Sequence, residues 1–87
     1  MRLLNINNIE KKDVPLYYRN EYTAISQFTL IGDSPVDIPI FFSVEMAPTG
    51  EKAIDITFNE KIDYPIVPLL RLLKEEITVL ERKGLLL

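Results

Sequence analysis

The sequence predicts an α+β fold: an antiparallel β-meander of three to five strands with one long C-terminal helix packed across one face. Three observations carry this. Residues 36–46 alternate apolar and polar without a fault. Residues 65–84 hold the only long pattern with helical spacing. Pro48-Thr49-Gly50, following that best strand, has the composition of a tight hairpin loop.

Residues 1–13 carry two conflicting periods. Leu3, Ile6 and Ile9 recur every third residue, whereas Leu4 and Ile6 alternate. The reading adopted is a short strand followed by a polar turn at Glu10-Lys11-Lys12-Asp13. Residues 14–19 have strand composition, but Pro15 confines them to an edge or an irregular start, because proline cannot donate to a ladder.

Residues 22–31 alternate, with Tyr22, Ala24, Ser26, Phe28 and Leu30 on the expected core face. Gly32-Asp33-Ser34-Pro35 is a turn by composition. In residues 36–46 the core face is Val36, Ile38, Ile40, Phe42, Val44 and Met46. In residues 53–59 it is Ile54, Ile56 and Phe58.

Register follows from parity. Apolar residues of paired strands must share a face, so paired residue numbers must have an even sum. Pairing Val44 with Ile54, Phe42 with Ile56 and Ile40 with Phe58 meets this and leaves Pro48-Thr49-Gly50 as a three-residue loop. Pro48 supplies the fixed φ of a type I turn, and Gly50 the left-handed residue after it. The same logic is taken to pair Phe28 with Ile40 and Ala24 with Val44.

On the helix, Ile66, Leu69, Leu70, Leu73, Ile77 and Leu80 form one stripe, with charged residues opposite. Pro65 and Pro68 place the start between them, and Asp63 is the nearest capping candidate. Arg82 and Lys83 suit the negative end of the helix dipole, and Gly84 suits the left-handed residue beyond it. The tail Leu85, Leu86 and Leu87 is expected to fold back on the last turn. Leu72 and Val79 widen the apolar arc beyond what one small sheet requires. They either pack under a loop or the tail, or form a self-association seam. Leu69-Leu70-Arg71-Leu72-Leu73 also spells an LxxLL-type docking string, which any Leu-rich core helix produces by chance.

Eighty-seven residues make one domain with a modest core, a size at which oligomerisation often adds stability. A net charge of −3 argues against nucleic acid, whose binding rests on Lys and Arg contacts to phosphate. The chain has no Cys and no His, which removes the thiolate nucleophile, the zinc-thiolate site and the commonest general base. No run approaches the roughly 20 apolar residues of a membrane span, and the first twelve residues lack the apolar core of a signal peptide. The expected location is the cytoplasm.

The face of the sheet away from the helix reads mostly polar. Ile25 and Phe41 depart from this and become diagonal neighbours, with Ile31 further along. Either a loop such as Leu16-Tyr17-Tyr18 covers them, or they mark a partner site. Catalytic readings are weak. Asp55 is opposite Ser43 near Glu45, but a carboxylate activates serine poorly without an intervening base. Asp33, Ser34 and Asp37 lack the spacing of a calcium loop. Tyr17, Tyr18 and Tyr22 are an aromatic cluster better suited to core or interface than to base stacking.

Antiparallel strands followed by one long, proline-preceded helix ending in a basic residue and Gly84 resemble the element order of SecB-type export chaperone subunits. The resemblance covers the order of elements and residues 65–84, and it implies binding of unfolded chains.

Three functions follow in order. The first is a non-enzymatic protein–protein contact or structural module acting as a homo-oligomer, without cofactor, metal, nucleic-acid or membrane partner. Its candidate interface residues are Leu72, Val79, Leu85, Leu86, Leu87, Ile25 and Phe41. The second is a peptide- or unfolded-chain-binding protein using the Ile25/Phe41 face or an edge at residues 17–22. The third is a hydrolase using carboxylates alone.

Overall fold

The computed structural model describes residues 1–13, 17–30, 32 and 34–86. Among them are four strands, β1 (Arg2–Lys11), β2 (Arg19–Thr29), β3 (Pro35–Met46) and β4 (Lys52–Phe58), and one helix, α1 (Ile66–Arg82). The strands form one antiparallel sheet in the order β1-β2-β3-β4. Alternation decides which side of it is dry. Tyr22, Ala24 and Phe28 of β2, Ile38, Ile40, Phe42 and Val44 of β3, and Leu69, Leu73 and Ile77 of α1 make the buried core.

The β3–β4 hairpin has the expected register, with Val44 opposite Ile54, Phe42 opposite Ile56 and Ile40 opposite Phe58. Its loop is closed by Gly50 N–H donating to Ala47 O at 2.9 Å, and Gly50 adopts a φ of 88°. Only a residue without Cβ takes that conformation freely.

The β2–β3 register departs from expectation by four residues: Ala24 lies opposite Ile40 and Phe28 opposite Val36. An even shift keeps every side chain on its expected face, so alternation cannot distinguish the two registers. The observed one sets Tyr22 directly opposite Phe42, their rings stacked 4.9 Å apart. It also lets the buried Ser26 hydroxyl donate to Ile38 O at 2.7 Å.

β1 runs to Lys11, so the expected turn at residues 10–13 begins too early. Its two periods are reconciled by two irregularities in the pairing with β2, between Leu3 and Asn5 and between Asn7 and Glu10. Each inserts one extra residue, which converts a period of two into a period of three. Leu3, Ile6 and Ile9 thus all pack against the core, while the extra residue Leu4 is exposed. Asn8, in the second irregularity, has φ 52°, a left-handed conformation that asparagine tolerates better than most residues. Of the strand expected over residues 14–19, Val14, Pro15 and Leu16 lie outside the described residues. Tyr17 and Tyr18 are in a turn, and β2 starts at Arg19.

The helix lies between the two outer strands, closest to β4 and also touching β1. Leu69, Leu73 and Ile77 are wholly buried, and each contributes about 1.5–3 kcal/mol relative to exposure. Leu70 and Leu80 are half-buried, and Ile66, at the fraying first turn, is exposed. Pro65 occupies the capping position without a side-chain cap, so Asp63 does not serve that role. The C-terminus is a Schellman motif. Gly84, at φ 69°, donates to Glu81 O, and Leu85 N–H reaches back to Leu80 O, both at 3.0 Å.

Candidate interface surfaces

The residues expected at an interface fall on three separate surfaces. Leu72 is half-buried against the core and Val79 is 39% exposed; with Met1, Arg2 and Leu3 they line a shallow depression between the helix and the start of β1. The strand β1 thus takes up most of Leu72 and part of Val79. In the tail, Leu86 packs against the core while Leu85 is exposed. Leu87 lies outside the described residues.

Ile25 and Phe41 are diagonal neighbours as expected, although through the shifted register: Ile25 faces Pro39, and Phe41 faces Thr23. Both are half-buried. The Lys12 ammonium sits 4.7 Å from the centre of the Phe41 ring, a cation–π contact that shields it. Tyr17 lines a different depression, and Leu16 and Ile31 lie outside the described residues.

Polar networks bound this apolar spot along the strands. On one side Asn7 donates to Asn5, Asn5 to Gln27 and Gln27 to Asp37, tying β1, β2 and β3 together. On the other, Arg19 bridges Glu21 at 3.0 Å and Glu45 at 3.4 Å. The hydrogen bond to Glu21 and the charges of both carboxylates push the Arg19 pKa up against a smaller opposing effect of burial. Ser43 is opposite Asp55 as the register requires, but its buried hydroxyl has no hydrogen-bond partner among the described residues. That pair is therefore not an activated nucleophile. No group of three acidic side chains among the described residues is placed to hold a metal ion, and Asp33 lies outside them.

The most exposed apolar surface is one that sequence reasoning named only in part. Tyr17 (99% exposed), Tyr18 (46%) and Met46 (50%) form, with Ala47, Pro48 and Ala53, an open ledge at the β3–β4 turn end of the sheet. The two tyrosines meet edge to face, with centroids 6.1 Å apart. A signal was present in the sequence: adjacent residues of extended chain point to opposite sides, so Tyr17 and Tyr18 cannot both enter one core. The expected binding edge at residues 17–22 does not exist, because β2 is an inner strand and Tyr18 O accepts from Met46 N–H. Behind the ledge, Tyr22 lies near the Lys52–Glu81 ion pair, and burial, then the Glu81 charge, push its phenol pKa up.

No helix among the described residues is long and apolar enough to cross a membrane. No curated protein and no solved structure matches the chain. A family model described as the BB_0187 family matches residues 1–82, which takes in all four strands and the whole helix, and the chain belongs to that family.

Proposed function

We propose that this is a non-enzymatic protein–protein contact module that assembles with copies of itself. The observation that carries the reading is the ledge of Tyr17, Tyr18 and Met46, which leaves large apolar side chains in water beside the exposed Leu85. Aromatic residues and methionine in such a setting are characteristic of contact surfaces rather than of free surface. A chain without His or Cys, whose Ser43 and Asp55 are not joined by a hydrogen bond, supports the absence of catalysis. The cytoplasm is the proposed location, supported by a cysteine-free composition that suits a reducing compartment.

The test is molar mass by light scattering across a dilution series, for the wild type and for Tyr17→Ser/Met46→Ser. Assembly of the wild type, weakened in the variant with its circular dichroism unchanged, is the expected result. A wild type that is monomeric at every concentration overturns self-assembly.

The ledge also favours a second reading, capture of extended or unfolded chains, which the SecB-like order of elements suggested. Suppression of aggregation of a model unfolded protein by the wild type, lost in Tyr17→Ser/Met46→Ser, would favour it over self-assembly.

A further inference from the structure

The sheet has two outer strands, and they differ as edges. β1 is interrupted twice, with Asn8 in a left-handed conformation between. β4 is regular over all seven residues, contains no proline and pairs with β3 without interruption. Bulges, proline and inward charge are what keep an edge strand from pairing with another chain, and β4 has none of them.

Which β4 groups are open follows from the hairpin. Ala47 N–H donates to Glu51 O, so Ala47 and Glu51 point at each other, and so do the pairs two residues along. Ala53, Asp55 and Thr57 therefore turn their backbone groups toward β3. Ile54, Ile56 and Phe58 turn theirs outward, and no other described backbone group bonds to them. The side chains of these three lie on the core face but are only half-buried, because the sheet ends there.

We propose that β4 pairs antiparallel with β4 of a second copy, about a two-fold axis at Ile56, to give a continuous eight-stranded sheet. This rests on the self-assembly reading and names its surface. Charge selects the register. An axis at Asp55 would set Asp55 against its own copy, with like charges directly opposite. An axis at Ile56 sets Ile54 against the partner's Phe58, Asp55 against the partner's Thr57 and Lys52 against the partner's Glu60. All the outward backbone groups from Ile54 to Phe58 are then used, and the half-buried stripe is extended.

The test uses exposed side chains that this register alone brings together. Thr57→Asp sets two carboxylates opposite each other at two symmetric positions and should weaken the dimer about 2- to 30-fold. Thr57→Lys, placing an ammonium opposite Asp55 of the partner, should tighten it over a similar range. Both are read as dissociation constants by sedimentation, with circular dichroism checking the fold. Opposite signs for the two variants support the pairing. If both leave the dissociation constant unchanged while Tyr17→Ser/Met46→Ser raises it, the β4 pairing is wrong and self-assembly through the ledge stands. A wild-type monomer at all concentrations overturns both.

Discussion

The two outer strands of this sheet solve the same problem in opposite ways. β1 has ten residues and buries Leu3, Ile6 and Ile9 through a period of three, which a straight strand cannot do. The two extra residues that make this possible also break its outer row of hydrogen-bonding groups. β4 keeps a strict period of two, buries one side of Ile54, Ile56 and Phe58, and leaves a straight outer row. A sequence that looks irregular thus marks the protected edge, and one that looks well formed marks the open edge.

The strongest way to break the comparison is through the core both strands share. Leu73, wholly buried in the middle of the helix, should cost about 2–5 kcal/mol on Leu73→Ala. Urea unfolding should show a single transition at lower midpoint, β1 and β4 melting together. Separate transitions for the two edges would mean that β1 is a local appendage.

Next is the irregularity itself. Asn8→Val places a β-branched residue at φ 52° and should destabilise by about 1–2 kcal/mol, whereas Asn8→Gly should be nearly neutral. Equal effects would indicate that the asparagine side chain, rather than its backbone conformation, shapes β1.

Near the start of β4, the raised phenol pKa of Tyr22 makes a pH-dependent contribution. The folded state favours the neutral phenol, so the contribution is full below the ordinary tyrosine value of about 10 and is lost as pH rises through the raised one. Tyr22→Phe should therefore lose less stability than the wild type between about pH 9 and 11.5, measured by urea unfolding. Parallel curves would contradict this. The smallest effect belongs to the Lys52–Glu81 pair tying β4 to the helix. It is partly exposed, and Lys52→Met should cost less than about 1 kcal/mol.

Parity made much of this fold legible. The faces of β2, β3 and β4, the β3–β4 register, Gly50 and Gly84 all follow from alternation or left-handed backbone. Parity also explains the failures. It cannot separate registers that differ by an even shift, so the alignment of β2 on β3 was open until the Tyr22–Phe42 stack fixed it. It cannot see a bulge, so Leu3, Ile6 and Ile9 gave two contradictory periods. The surfaces were less legible, because exposure depends on which strands end the sheet. Leu72 looked free until β1 was placed beside it, and residues 17–22 looked like an edge until β1 paired with β2.

The most direct test of the difference between the edges is amide hydrogen exchange followed residue by residue across a dilution series. The amides of Ile54, Ile56 and Phe58 should exchange quickly when dilute and become protected on concentration, while outward amides of β1 stay concentration-independent. Rapid exchange of those β4 amides in an assembled sample, or protection appearing on β1 instead, would contradict the account.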